Sequence, residues 1–559
     1  MFHHPLQRVP RAALIMSLAL ASCSATANDT VLNEAWRLLQ EADRAREQED
    51  RLRRERQLRG QPKPVDPPDA HIAAPCVAVG GLRVAGNTLL PDKRLRQVVE
   101  PHAAACMSVA QVNKLLVAIT AAYVNEGYIT ARPYLARPLA AEEVVDVVIL
   151  EGYVESVELA DPALPVSMEN AFGDLPGAPL HLPTLERGLD QLNRLRAFDV
   201  AGDILPGTAP GASRIVITSL GHQPRAWAAV SADNRGSKSA GRERIVSHVG
   251  VDSPLQWNDA LSASFSRTLP NNGSFSRTLG LGYSVPRGPW QLSLGASHYQ
   301  YRSYIQHLKR PIATTGHGAL YSASAERQLW RSGNAIFNAS ARISRKQTDT
   351  SVAGRRIKVQ SPSYNVAELQ LDLLWLDDAI WNAQLQYSEG LGGWSANDGQ
   401  RAPRSHAPEG RFQRWRATLG RTRTGQIGTQ PWQWSSQWMA QYSDDSLPVI
   451  EQLSLAGDAS VRGFRDASTY HGRGITWNNT LAFPNRLSAV GTATPRIGLD
   501  MGIGEGRDQA RGDRLAGAAL GVTLGHKALQ LDLDYQHPLY RKLAETGDGY
   551  WQVQISVRF

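Results

Sequence analysis

The second half of the chain alternates apolar and polar residues, and turn-forming Gly, Asn, Asp and Pro interrupt the pattern at intervals. The segment Leu529–Tyr535 is typical, because its apolar and its polar or acidic side chains fall on opposite faces of a strand. In a soluble sandwich the apolar face would pack on a second sheet, whereas in a membrane barrel it faces lipid and the polar face lines water. The span 222–559 suits about sixteen strands, at roughly ten residues each plus turns and loops.

The last strand favours the membrane interpretation. Trp551, Val553, Ile555 and Val557 alternate with polar residues, and the last residue of the sequence, Phe559, is aromatic. A strand that ends in Phe at this position resembles the C-terminal signal of outer-membrane barrels. The alternative is the edge strand of a soluble sheet.

The first residues have the pattern of a secretory signal peptide over 1–27. A polar, basic start precedes the short apolar run 12–21, and Ala25-Thr26-Ala27 forms a cleavage site. Leu20-Ala21-Ser22-Cys23 also fits a lipoprotein site in which Cys23 is acylated, so that alternative stays open. Both routes predict an exported protein, which argues against the soluble sheet.

A polar helix is predicted for residues 28–59. An apolar stripe runs as far as Ala42, but from Glu41 onward most residues are Arg, Glu, Asp or Gln, with opposite charges four residues apart. Such a helix is either a solvated spacer or a plug in a water-filled pore, because a helix that is polar all round does not sit in a protein core. At about 1.5 Å per residue it would reach roughly 45 Å, enough to cross a membrane barrel. The prolines of residues 60–74 predict an extended linker.

Residues 75–152 and 153–221 predict two consecutive α/β units of similar plan, a tandem module. Apolar alternation predicts the strands, and helical spacing of apolar residues predicts two helices in the first unit and one, over 185–195, in the second. The predicted strands are 77–84, 128–131, 144–150, 154–159, 198–200 and 214–218.

The unprocessed chain contains three cysteines. Either cleavage route leaves Cys76 and Cys106 as the pair available for a disulfide. An exported protein meets an oxidising periplasm, so we expect these two residues to be joined. Two buried free thiols are the alternative.

Composition and charge exclude two classes of protein. Charged residues make up 20% of the chain, and no stretch approaches the roughly 20 apolar residues of a membrane-spanning helix. The net charge of +8 comes from single arginines scattered among alternating segments, without the clustered patch typical of nucleic-acid binding. We therefore expect neither a helical inner-membrane transporter nor a nucleic-acid-binding protein.

The sequence also lacks the short motifs of common enzymes. There is no HExxH, no phosphate-binding G-x-x-x-x-G-K, no G-x-S-x-G and no CxxC pair, and the fourteen His residues are scattered. We expect no enzyme, and hence no catalytic residue, metal site or cofactor.

Two motifs in the barrel region carry a specific resemblance. Val461-Arg462-Gly463-Phe464 is followed later by Gly498-x-Asp500-x-Gly502. They are similar to the sixth-loop signature and the late-strand motif of the superfamily that contains barrel-assembly factors and two-partner secretion transporters. In that superfamily the loop folds back into the lumen and its Arg pairs with the Asp, so the resemblance implies a pair between Arg462 and Asp500.

The Arg462–Asp500 pair could also hold the loop in place for physical reasons. A long loop in a wet pore gains little from apolar burial, so a charge-assisted bidentate contact could hold it in place. The glycines at 498 and 502 would let the loop backbone approach the wall. The alternative is a surface hairpin in which Arg462 has no partner.

Other segments resemble the haemolysin-secreting branch of this superfamily. Residues 75–152 resemble a first POTRA domain, with Cys76 and Cys106 at places that the branch often uses, and residues 153–221 resemble a second. Residues 233–241 resemble the first barrel strand and turn. One position departs from the pattern, because Thr480 stands where an acidic residue is common.

The resemblance implies an outer-membrane barrel of about sixteen strands over 222–559, two periplasmic POTRA domains and an N-terminal plug helix. It implies that the POTRA domains bind a large exoprotein, such as a haemolysin, an adhesin or a contact-dependent toxin, which crosses the pore unfolded. Outer-membrane lipid and the barrel-assembly machinery would be further partners, and a monomer is expected. The alternatives are a barrel-assembly factor, which usually has more POTRA domains and no plug helix, and a plain porin, which would not need periplasmic domains.

Overall fold

The computed structural model describes residues 76–559 apart from 174, 271, 308–309, 358–359, 393–409, 466–468, 488–490, 506–511 and 542–546. The predicted signal peptide, plug helix and linker therefore lie outside the described residues and stay predictions. No helix in the described part of the chain is long and apolar enough to cross a membrane.

The first α/β unit packs two helices on a small sheet, in which β2 and β5 run parallel and β4 is antiparallel to β5. The second helix begins with a capping box, in which Ser108 and Gln111 bond each other's backbone. The predicted strand at 128–131 is wrong: Gly127, at φ +89°, ends the helix, a turn follows, and the strand begins only at Arg132. The elements are β1 (Val77–Ala78), β2 (Gly81–Ala85), α1 (Asp92–Val99), β3 (Cys106–Met107), α2 (Val109–Asn125), β4 (Arg132–Leu135) and β5 (Val144–Leu150).

The second unit repeats this arrangement, with β6 parallel and β7 antiparallel to β8. Its core contains Leu185 and Leu192 of the long helix against Ile215 and Ile217 of β8. A short helix of five residues precedes the long one and was not predicted from the sequence. The elements are β6 (Tyr153–Leu159), α3 (Met168–Phe172), α4 (Leu182–Asn193), β7 (Phe198–Pro206) and β8 (Ala212–His222).

The rest of the chain forms a closed antiparallel barrel. Within the described residues, sixteen strands close it, with β16 and β24 as short extensions of their neighbours, and β28 pairs with β9. The short strands β21 and β22 form a separate two-stranded sheet. The strands are β9 (Ala226–Asp233), β10 (Arg244–Asp252), β11 (Ala260–Thr268), β12 (Phe275–Arg287), β13 (Trp290–His307), β14 (Arg310–Ser332), β15 (Ala335–Val352), β16 (Arg355–Arg356), β17 (Ser363–Leu376), β18 (Ile380–Gly392), β19 (Arg411–Ile427), β20 (Gln430–Tyr442), β21 (Leu453–Ser454), β22 (Tyr470–His471), β23 (Arg473–Ala482), β24 (Asn485–Leu487), β25 (Gly491–Glu505), β26 (Asp513–His526), β27 (Leu529–Arg541) and β28 (Tyr550–Arg558).

Alternation along each strand separates a lipid-facing from a lumenal side. On β17, for example, Leu369 and Leu371 are exposed on the outer wall, whereas Glu368 and Asp372 are buried in the interior. An apolar exterior and a polar interior are the opposite of a soluble fold and are what a membrane barrel requires.

Candidate functional site

The lumen contains a long inward-folded loop, loop 6, which comprises residues 443–472 between β20 and β23. Its strands β21 and β22 pair with each other. Leu453, Leu455, Val461 and Phe464 of the loop form an apolar cluster with Leu515 of the wall. A second apolar cluster packs Leu447 and Ile450 of the loop against wall residues that include Tyr364 and Phe412. Apolar packing and polar contacts therefore both attach the loop to the barrel.

The structure brings Arg462 and Asp500 together on the wall. The guanidinium donates from Nε to Oδ2 and from Nη2 to Oδ1, both at 2.7 Å, and the Arg462 backbone N–H donates to Oδ2 at 3.0 Å. Arg462 also donates to the backbone carbonyl of Asn479 at 2.6 Å, and the Asn479 N–H donates to Asp500. The Asp500 side chain is fully buried and that of Arg462 is 11% exposed. We call this bidentate pair the Arg462 contact.

Glycines make this close approach possible. A Cβ at Gly498 would overlap the Arg462 guanidinium, and a Cβ at Gly517 would overlap the Arg462 carbonyl oxygen. Gly463 has φ +99°, and its N–H donates to the side chain of Gln536 at 3.1 Å. Gly502 lies against Val461 in the same way. Any larger residue at 498 or 517 would therefore displace Arg462.

Loop 6 makes a second polar contact with a different part of the wall. The Glu451 carboxylate accepts from Lys346 of β15 at 2.6 Å, from Arg414 of β19 at 2.7 Å and from the Tyr364 hydroxyl of β17 at 3.2 Å. Its backbone carbonyl accepts from Gln441 at 2.9 Å. We call this arrangement the Glu451 contact.

Charge keeps Glu451 ionised. Burial alone would raise the pKa of its carboxyl, but Lys346 and Arg414 outweigh burial and lower that pKa to about 2. A fully buried carboxylate with two cationic partners is a strong attachment, and removing one member would leave the others uncompensated.

The surroundings of the Glu451 contact differ from those of the Arg462 contact. A polar cavity opens beside it, and Arg414 has a second carboxylate within reach, since its Nη2 lies 3.3 Å from Glu368. The cavity is lined by Arg342, Lys346, Glu368, Gln386, Arg416 and Glu451, among others.

Between the two contacts, Asp458 of loop 6 accepts from Gln536 of β27 at 3.1 Å and from Gln552 of β28 at 2.7 Å. Loop 6 joins β20 to β23. It therefore contacts the wall on both sides of these two strands, at β15 to β19 on one side and at β25 to β28 on the other. It crosses the lumen and is held on both sides.

The second α/β unit lies against the end of the barrel opposite loop 6. Arg331 at the end of β14 pairs with Glu186 at 2.9 Å and with Asp190, both on α4. The buried Asp252 carboxylate accepts from the Ala197 N–H at 2.9 Å. These contacts hold the second unit at the mouth of the pore, and the first unit precedes it in the chain.

The remaining predicted residues are placed as follows. Cys76 and Cys106 are joined in a disulfide that ties the start of the first unit to β3. Phe559 exchanges backbone hydrogen bonds with Ala228 of β9, so it takes part in closing the barrel. Thr480 lies on β23 opposite Gly498 in the strand register.

Sequence reasoning missed the role of Glu451. The residue stands in the sequence shortly before the Arg462 motif, but its partners Lys346 and Arg414 are 105 and 37 residues away. Lumenal polar residues on alternating strands look alike in sequence, so no local signal distinguishes these two from the others.

Together, the fold and the loop define an outer-membrane β-barrel with periplasmic α/β units at its mouth and a sixth loop folded into its lumen. The sequence profile of the haemolysin secretion/activation proteins ShlB/FhaC/HecB matches residues 211–524, and the chain belongs to this family. Profiles of the ShlB-type POTRA domain and of the POTRA domain match residues 77–152 and 153–206. The α/β units are hereafter called POTRA 1 and POTRA 2.

Similar proteins cover almost the whole chain. The hemolysin transporter protein ShlB of Serratia marcescens is 30% identical over 95% of both chains, and the hemolysin transporter protein HpmB of Proteus mirabilis is 29% identical over 93% of this chain and 94% of its own. Among solved structures, CdiB from Escherichia coli has the same fold, with a TM-score of 0.86 over 94% of this chain and 99% of that one at 23% identity.

Proposed function

We propose that this protein exports one large partner exoprotein across the outer membrane. The observation that carries the proposal is a polar pore crossed by a loop that polar contacts hold, with two POTRA domains attached at its periplasmic mouth. The names of the relatives support it, since ShlB and HpmB are called hemolysin transporters and CdiB an outer membrane transporter. The partner is accordingly of the haemolysin or contact-dependent toxin type.

Recognition takes place on the POTRA domains. The edge strands of their three-stranded sheets are β2 and β4 in POTRA 1 and β6 and β7 in POTRA 2, and residues 177–180 already pair with the start of β6. An extended segment of the partner adds to such an edge through backbone hydrogen bonds. The partner then enters the pore unfolded, and its folding outside supplies the drive.

Passage through the lumen requires loop 6 to move, and the two contacts differ in what their release costs. If Glu451 leaves, Lys346 loses its carboxylate partner, but Arg414 keeps Glu368 and the cavity gives the loop room. If Arg462 leaves, the buried Asp500 loses its bidentate guanidinium partner, which is the costly case. We therefore assign the Glu451 contact as the one that opens and the Arg462 contact as the fixed pivot.

We also propose the remaining partners and the oligomeric state. The apolar outer wall binds lipid, the barrel-assembly machinery inserts the chain through its terminal strand, and one closed barrel forms the pore, so the unit of function is a monomer. The protein performs no catalysis in this scheme.

A gene deletion in the native bacterium tests the export proposal. We expect a single large protein to disappear from the culture medium and to return on complementation, while other outer-membrane proteins keep their levels. An unchanged medium combined with a general loss of outer-membrane barrels would instead support the barrel-assembly alternative.

A further inference from the structure

Three arginines lie together on the outer wall of the barrel, one on each of three adjacent strands: Arg267 on β11, Arg277 on β12 and Arg302 on β13. All three side chains are exposed, whereas the sequence neighbours Thr268 and Tyr301 are buried on the lumenal side. We call these three residues the arginine patch. They lie on three consecutive strands, and the strand register places them side by side.

The register places like charges next to each other. Arg267 and Arg277 are direct cross-strand partners, and Arg302 is diagonal to Arg277 because Arg277 pairs with Gln300. Like charges directly opposite each other destabilise an antiparallel pair. Arg277 donates to the Gln300 side chain and Arg302 lies over the ring of Phe275, but no ion pair with a carboxylate forms at the patch within the described residues.

The patch lies near the extracellular ends of its strands, since Arg267 is the last but one residue of β11 and Arg277 is the third residue of β12. The opposite ends of these strands contact POTRA 2, since Asn258 before β11 bonds Ser167 and Arg287 of β12 bonds Asn170. One register step from the patch toward that periplasmic end, Phe265 and Leu279 are 41% and 48% exposed on the same face. The guanidinium groups therefore stand where hydrocarbon ends and headgroups of the outer leaflet begin.

We propose that the arginine patch binds the phosphate groups of a phosphorylated outer-leaflet glycolipid, lipopolysaccharide. Guanidinium groups bond phosphate oxygens in pairs, and a phosphate between Arg267 and Arg277 removes the repulsion that the bare protein contains. The acyl chains of the same molecule then cover Phe265 and Leu279. A soluble phosphate has no acyl chains, so only the lipid fits both the arginine patch and the apolar residues beside it.

The test uses the purified full-length protein in detergent, mixed with lipopolysaccharide or with the same lipid after its phosphates are removed. We expect the phosphorylated lipid to be retained in native mass spectra and to raise Tm, and Arg267→Gln/Arg277→Gln to bind it roughly tenfold or more weakly. Without lipid, this variant is at least as heat-stable as the wild type, because it lacks the cross-strand repulsion. Inorganic phosphate alone should leave Tm unchanged.

The matched control is Arg355→Gln/Arg356→Gln, which removes two charges from the extracellular hairpin extension outside the patch and should bind the lipid as the wild type does. If the glutamine variant fails to insert, Arg267→Lys/Arg277→Lys keeps the charge, and its affinity should fall partway. Equal retention by the wild type and the patch variant, equal retention of phosphorylated and dephosphorylated lipid, or an equal loss in the control would overturn the proposal.

Discussion

The two attachments of loop 6 are built from the same chemistry but differ in their surroundings. The Arg462 contact joins one loop cation to one wall anion, and glycines close the space around it. The Glu451 contact joins one loop anion to two wall cations beside a cavity, with Glu368 near one of them. The free energy needed to break such a contact depends on whether the charged groups left on the wall keep a partner of opposite charge. We therefore expect the closely packed Arg462 contact to act as the fixed pivot. We expect the Glu451 contact to open, because it has a cavity beside it and Glu368 as a substitute partner for Arg414.

The largest expected effect comes from Arg462→Ala. The barrel should remain inserted and heat-modifiable, because strand pairing and lipid contact do not depend on one loop. Export of the partner should collapse, since the buried Asp500 loses its bidentate partner and the loop loses its fixed position. The measurement is the amount of partner in the medium at equal barrel abundance.

The companion variant Asp500→Ala should show the same loss of partner export. The double variant should be little worse than either single one, because the two residues form one interaction. Normal export from either single variant would refute the role of the pair, and additive losses would show that the two residues act separately.

Glu451→Gln should have an intermediate effect of a different kind. It weakens the closed state of the loop by about 3–5 kcal/mol, since Lys346 and Arg414 lose their shared carboxylate. Resting conductance in planar bilayers should rise while export continues. The control is Glu389→Gln on the outer face of β18, which should leave conductance unchanged, and a Glu451→Gln variant that conducts like the wild type would refute release at this site.

Acid should leave the Glu451 contact intact. The pKa of Glu451 is lowered to about 2, so its contribution is present above the ordinary value of 4.5 and is lost only as pH falls toward the folded value. We expect the conductance difference between the wild type and Glu451→Gln to be the same at pH 7 and pH 5. A wild-type channel that reaches the conductance of the variant at pH 5 would contradict this.

The sequence predicts the barrel, the tandem α/β units and the Arg462 contact because each leaves a regular or local signal. Alternation marks the lipid-facing wall, and two motifs mark Arg462 and Asp500. The Glu451 contact leaves no such signal, because Lys346 and Arg414 are single charged residues on separate strands and only the register of the closed barrel brings them to the loop. The arginine patch leaves a partial signal, since Phe-Ser-Arg-Thr-Leu occurs at 265–269 and again at 275–279 around a turn, whereas Arg302 joins the pair only through the register.

Deletion of residues 28–59 should have a smaller effect on export. The sequence predicts a polar helix that plugs the resting pore, so its loss should raise conductance and leave secretion possible. Because loop 6 and this helix would be separate obstacles, deletion combined with Glu451→Gln should conduct more than either change alone. Unchanged conductance after deletion would place the helix elsewhere.

The smallest effect on the pore should come from Cys76→Ala/Cys106→Ala. Removal of a disulfide that spans 30 residues should cost POTRA 1 about 3–4 kcal/mol. Limited proteolysis of the full-length protein should show earlier cleavage in POTRA 1, with conductance unaltered. In the wild type, thiol labelling after unfolding without reductant should find neither cysteine, and full labelling of both would contradict the disulfide.

In the release model, the Glu451 contact opens during export while the Arg462 contact stays closed. The most direct test of this model compares two covalent links in a background in which Cys76 and Cys106 are serine. Lys346→Cys/Glu451→Cys, joined by a short bismaleimide, fixes the Glu451 segment to the wall, and an oxidised Val461→Cys/Gly502→Cys pair fixes the pivot. We expect the first link to stop export of the partner, and we expect normal export from the unlinked form and from the protein with the second link. Continued export with the first link in place, or a block by the second, would contradict the release model.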